Sequence, residues 1–161
     1  MPERPAPRPG LEASPSRPQS FLSFDYGTRR VGVATGNSLL GLAQPLKTLS
    51  VEGDARFAAI ADLIRQWQPA ALVVGVPFHP DGAVHDNTRR AQRFARQLHG
   101  RFRLPVHEVD ERYTTTEALA AGAADADAAA AALILEQFLR STATTDQSPS
   151  PAMQDPPHAA A

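Results

Sequence analysis

The sequence predicts an α/β domain on one mixed sheet, with an antiparallel hairpin start, βα units after it and helices on both faces. Three observations carry that prediction. Two short alternating strands, 21–25 (FLSFD) and 30–35 (RVGVAT), flank the turn Tyr26-Gly27-Thr28-Arg29, as in a hairpin. The run ALVVGV at 71–76 is continuously apolar, as in a strand covered on both faces. Amphipathic helical segments then alternate with short strands, the pattern of βα units.

A third short strand fits Pro45–Leu49. Asp54 is a suitable N-cap for the first helix, whose Phe57, Ile60, Ala61, Ile64 and Trp67 recur at helical spacing before Pro69. After the strand 71–76 comes a turn-rich loop, PFHPDG at 77–82. The next helix, about 87–99, divides into an inner stripe of Ala91, Phe94, Ala95 and Leu98 and an outer face with Arg89, Arg93 and Arg96. Past Gly100, PVHEVD at 105–110 reads as a strand. Thr114 with Glu117 forms a capping box for a short helix stopping near Gly122, and the last helix spans about 126–140.

The ends differ in composition from this domain of residues 21–140. Residues 1–20 hold six of the 15 prolines, and 141–161 are mostly Ser, Thr, Pro and Ala. Such segments bury too little apolar surface to offset chain entropy, so both are expected to be disordered tails. The chain has no cysteine, which excludes disulfides and thiolate metal sites. It has no apolar run long enough for a membrane span and no signal-peptide core, so a cytoplasmic protein without membrane contact is expected. Net charge is −1, yet between Asn87 and His107 there are six arginines and no acid. Such a local basic field suits a polyanion.

Carboxylates stand at three separated places: Asp25 at the first hairpin turn, Asp110 and Glu111 at the end of the strand 105–110, and Asp127 at the head of the last helix. Acids that converge on one end of a sheet are what a two-metal phosphodiester-cleaving site requires, because Mg²⁺ and Mn²⁺ take oxygen ligands. Each acid also has a plainer reading. Asp is common in turns beside Gly, and Asp-Tyr-Gly-Thr could instead cradle a phosphate. Asp110 and Glu111 point to opposite faces if the chain is still extended there, and either can pair with Arg112. Asp127 shares a helical face with Ala131, Ile134, Leu135 and Phe138, so it heads the buried stripe, where an unpaired charge is costly. Asp125 suits the N-cap. His79, His85 and His107 lack metal-ligand spacing, and His79 and His85 are candidates for phosphate contact.

Taken together, Asp25-Tyr26-Gly27-Thr28-Arg29-Arg30-Val31-Gly32-Val33-Ala34, Gly75-Val76-Pro77 through Asp81-Gly82, Asp110 through Ala118 and Asp127 through Leu135 resemble the motifs of the YqgF/RuvX family. The resemblance covers about 22–140. It implies a ribonuclease H-like fold and an endonuclease on structured nucleic acid, either in maturation of the 5′ end of pre-16S ribosomal RNA or as a Holliday-junction resolvase. It also implies metal binding by Asp25 and Asp127, with the middle acid supplied by Asp110 or Glu111. The expected metal ligands are therefore Asp25, Glu111 and Asp127, with Asp110 beside them in the catalytic set. Expected substrate contacts are Arg29, Arg30, Arg89, Arg93, Arg96, Arg112 and Thr114. Two departures stand out: Gly36-Asn37 replaces the family's Ser-Asp, and the segment 119–126 is short and without Lys or Arg.

The expected protein is thus a Mg²⁺- or Mn²⁺-dependent nuclease, monomeric or homodimeric, acting on structured RNA or branched DNA. Two rivals remain at this level. One is a non-catalytic RNA-binding factor on the same fold. The other is a nucleotide-phosphate loop of the actin and sugar-kinase type, for which this chain lacks room for a second domain.

Overall fold

The computed structural model describes residues 18–79, 81–111, 120 and 122–147. Arg112, Thr114, the capping-box helix and most of both tails lie outside the described residues. The described elements are β1 (Ser20–Tyr26), β2 (Val31–Asn37), β3 (Ala43–Leu49), α1 (Gly53–Trp67), β4 (Ala71–Val76), α2 (Asp86–Phe102), β5 (Val106–Asp110) and α3 (Ala126–Gln147).

The five strands form one sheet in the order β3-β2-β1-β4-β5. β2 is antiparallel to both β1 and β3, while β4 is parallel to β1 and β5 parallel to β4. Strand alternation sorts the core into two layers. Leu22, Phe24, Val31, Val33, Leu72, Val74 and Val76 pack with Phe57, Ile60 and Leu63 of α1 and Phe94 and Leu98 of α2. On the opposite face, Phe21, Ala71, Val73 and Val109 pack with Ile134, Leu135 and Leu139 of α3. β4 is buried along its whole length because helices cover both its faces.

α3 lies close on β2 because both surfaces are small-residued: Ala34 meets Ala131 and Ala132, and glycines occupy 32 and 36. The buried Ser23 hydroxyl donates to the Ala131 carbonyl at 2.7 Å, which ties the helix to β1. Asp125 caps α3 as expected, its carboxylate accepting the Ala128 N–H at 3.1 Å and the Thr48 hydroxyl of β3. Farther along, Glu136 accepts the Ala43 N–H at the start of β3, and the Gln137 amide donates to the Asp110 carbonyl at the end of β5.

Some boundaries differ from the sequence expectation. The N-cap of α1 is Glu52 rather than Asp54, and Gly53 opens the helix with φ of 64°. Glycine adopts that conformation readily, so the chain turns earlier than the acidic cap suggested. α2 continues through Gly100 to Phe102 and is ended by Arg103 in the left-handed conformation, φ 58°. α3 runs to Gln147 rather than stopping near 140, and the Thr142 hydroxyl bonds back to the Phe138 and Leu139 carbonyls within it.

Candidate active site at the carboxyl-terminal edge

The parallel strands β1, β4 and β5 all end on one edge, the place where open α/β sheets present ligands. Asp25 lies there on β1, opposite Gly32 of β2. Phe24, its neighbour, pairs with Val74 and points into the α1–α2 layer. Alternation therefore turns Asp25 to the α3 face, level with Gly75 one step beyond that pair. The turn that follows is tight: a side chain at Gly27 would meet the Arg30 carbonyl at 2.6 Å.

Asp127 arrives from α3. A Cβ on Gly32 would lie 1.9 Å from the Asp127 carbonyl oxygen, so the helix backbone rests directly on the residue that pairs with Asp25. The Asp127 carboxylate is one-third exposed, and its Oδ2 lies 3.0 Å from Arg30 Nε. An acid at the head of a buried stripe needs a partner, and in this structure the partner is Arg30.

The middle position is divided between two acids. Asp110 pairs with Val76 and, by alternation, belongs to the α1–α2 side, since Val109 is in the α3 layer. The strand ends there, and the Glu111 N–H donates to the Val76 carbonyl at 3.0 Å. Glu111 then lays its carboxylate over Gly75: a Cβ on that glycine would be 2.3 Å from Glu111 Oε2 and 2.5 Å from Ile134 Cδ1. Glycine at 75 thus makes room for an acid beside Asp25. The structure brings Asp25, Glu111 and Asp127 to one face of one edge and sends Asp110 to the other.

This donor set is carboxylate oxygen throughout, which suits a hard divalent cation. Among the described residues, no three His, Asp or Glu side chains converge on a single point at ligand range. The edge fits a cation by donor type and placement, and a shell that uses Asp127 Oδ2 must take that oxygen from Arg30.

The other expected contacts are distributed differently. Arg29 and Arg30 are exposed on the β1–β2 turn beside the acids. Arg89, Arg93 and Arg96 are exposed on α2, across the sheet from the α3 face that carries the acids. Arg89 is paired with Asp86 at 3.3 Å, and Arg101 sits over the Phe57 ring at 4.0 Å near Asp54. His79 and His85 bring their rings within 4.5 Å on the loop after β4. His85 caps α2, its Nδ1 accepting the Asn87 N–H at 3.2 Å, so one ring nitrogen is committed to the backbone. Asn37 is at the far end of β2, where its side chain accepts the Leu40 N–H and shapes the turn to β3.

Sequence reasoning missed Arg56. It is buried on α1, donates to the Thr28 carbonyl and the Val51 carbonyl at 3.1 Å each, and lies 5.7 Å from the centre of the Tyr26 ring. It braces the turn that joins Asp25 to Arg30. The available signal was its place on the Ile60–Leu63 stripe at i, i+4 and i+7, where a charged group needs carbonyls to bind.

Comparison with known proteins agrees with this architecture. The model of the RuvX family, described as Holliday junction resolvase, matches residues 19–141. A protein from Albidiferax ferrireducens with the provisional name pre-16S rRNA nuclease is 69% identical over 123 residues, covering 76% of this chain and 79% of its own. One from Polaromonas sp. under the same name is 68% identical over 123 residues, covering 76% and 89%. One from Burkholderia pseudomallei, also so named, is 49% identical over 136 residues, covering 80% and 93%. The solved structure of T. thermophilus RuvC in complex with Holliday junction substrate overlays with a TM-score of 0.52 at 14% identity, covering 79% of this chain and 97% of its own. That last likeness is one of fold, the ribonuclease H-like mixed sheet. Among the described residues, no helix is long and apolar enough to cross a membrane.

Proposed function

The chain belongs to the RuvX family, and from that premise we propose that it is a nuclease cleaving phosphodiester bonds in structured nucleic acid, with the 5′ region of precursor 16S rRNA as substrate. The observation that carries the reading is the placement of Asp25, Glu111 and Asp127 on one face of the carboxyl-terminal sheet edge. The pre-16S assignment follows the names carried by relatives at 69% and 68% identity. Such a substrate places the protein in the cytoplasm.

Asp25, Glu111 and Asp127 would hold the Mg²⁺ or Mn²⁺ ions of a two-metal site, which supply Lewis-acid stabilisation of the charge developing on the phosphoryl group. The chain's own residues position the substrate. Arg29 and Arg30 present guanidinium groups to the backbone next to the acids, where bidentate phosphate contacts suit arginine. Arg93 and Arg96 extend the contact along α2 without reading sequence. Arg56 holds the turn in place from beneath.

The test is cleavage of labelled pre-16S 5′-leader RNA and of a four-way DNA junction, in Mg²⁺ and in Mn²⁺, with Asp25→Asn protein as control. Metal-dependent cutting of the RNA that disappears in the variant supports the reading. Retained RNA binding without cutting of either substrate would make the protein a binding factor on a nuclease fold.

A second reading, resolution of branched DNA, is favoured by the description of the matching family model. Symmetric cutting of two strands calls for a dimer with paired sites. Preferential junction cutting by a sedimenting dimer would select it.

A further inference from the structure

We propose that Arg30 and a divalent cation compete for the Asp127 carboxylate, so that Arg30 sets how tightly the sheet edge binds metal. The proposal deepens the nuclease reading and rests on it.

Three observations lead to the competition. First, Arg30 Nε lies 3.0 Å from Asp127 Oδ2 as an ion pair, so an oxygen a cation would use already has a positive partner. Second, Asp127 cannot escape the choice by shifting its backbone. Its carbonyl is seated on Gly32, and the next turn of α3 is held by the Ser23 hydroxyl at Ala131. The carboxylate is thus fixed at the edge between the Arg30 side and the Asp25–Glu111 side. Third, the Arg30 side chain is the more exposed partner, 64% against 33% for Asp127, so it can leave the pair without disturbing the core. Its backbone is constrained by the close approach at Gly27 and by the Arg56 bond to Thr28, but the long stem above is not enclosed.

Charge decides the direction of the exchange. A part-exposed ion pair contributes little, whereas a divalent ion on two further carboxylates gains from all three. The cation therefore wins at sufficient concentration, at an affinity reduced by the need to displace the guanidinium. Once displaced, Arg30 stands beside Arg29 on the exposed turn, where a phosphate of the substrate is the natural replacement partner.

The experiment titrates Mn²⁺ alone into the full chain and reads free Mn²⁺ by electron paramagnetic resonance. Proteins compared are wild type, Arg30→Gln, Arg30→Lys, Asp127→Asn and the double variant Arg30→Gln/Asp127→Asn, each checked for an unchanged circular-dichroism melt. Arg30→Gln is expected to bind Mn²⁺ about fivefold more tightly, the scale of a part-exposed ion pair. Arg30→Lys is expected to stay near wild type. In the Asp127→Asn background the same Arg30→Gln change is expected to give less than about twofold, because coupled residues lose their effect together. Saturable binding in wild type with no gain in Arg30→Gln, or with an equal gain in the Asp127→Asn background, overturns the competition and leaves the metal site standing. No saturable Mn²⁺ binding in any of the proteins overturns both.

Discussion

The Asp127 carbonyl stands where a side chain on Gly32 would have to be, 1.9 Å from a Cβ built on that residue. Because Gly32 is also the cross-strand partner of Asp25, this close approach joins two of the three edge carboxylates through the backbone. Gly32→Ala is therefore expected to lift the first turn of α3 from β2. The obstacle is main chain, which yields less than a side chain, so the loss should be about 3 kcal/mol, at the upper end of overpacking costs. Urea unfolding measures it. Unchanged stability would show that α3 rides higher on β2 than described.

Asp110 and Glu111 are adjacent and chemically similar, but only Glu111 lies over Gly75 on the α3 face. Glu111→Gln is expected to lower the cleavage rate by at least about a hundredfold, equivalent to about 2.7 kcal/mol of lost charge stabilisation. Asp110→Asn should stay within about threefold. Single-turnover cleavage of the leader RNA compares the two, and equal losses would sink the assignment.

Arg56 contributes through the turn it holds. Arg56→Met keeps most of the apolar stem but leaves the Thr28 and Val51 carbonyls without their donor. A stability loss of about 1–3 kcal/mol is expected from losing two hydrogen bonds of a charged donor, both to carbonyls of exposed residues. Cleavage should fall beyond what the unfolded fraction explains, since misplacing a reacting group by an ångström is itself costly. Activity that falls only in step with the folded fraction would reduce Arg56 to a scaffold residue.

Arg93 is exposed on α2. Arg93→Ala is expected to weaken nucleic-acid binding alike across sequences and to reduce the slope of log K against log salt by about one. Fluorescence anisotropy over a salt series gives that slope. An unaltered slope removes α2 from the footprint.

Much of this fold could be read locally. The alternation of 21–25, the apolar run 71–76 and the stripe through Ala131, Ile134 and Leu135 each record which faces are covered, because burial acts at every second or every third to fourth residue. The N-cap at Asp125 and the inward face of Asp127 followed from the same periodicity. Other features were illegible for a physical reason: they depend on contacts between distant segments. Nothing near Gly75 announces that it clears space for Glu111, and nothing near Asp127 names Arg30 as its partner. Which of Asp110 and Glu111 lies on the α3 face turned on where β5 stops pairing, at the Val76 carbonyl. The arginine stripe was visible along α2, but which layer α2 occupies was a matter of topology.

α3 touches every strand of the sheet: Asp125 meets β3, Asp127 rests on β2, Ala131 is tied to β1, Ile134 reaches β4 and Gln137 reaches β5. It is also the last of these elements to be synthesised. While the chain is still emerging from the ribosome, Phe21, Val73 and Val109 have no cover on that face, and Asp127 has not yet reached Asp25. Domains fold as units, so docking of this helix completes the core and the acidic edge in one event. The acidic edge is therefore incomplete until α3 has been made and docked, whatever the state of the strands before it.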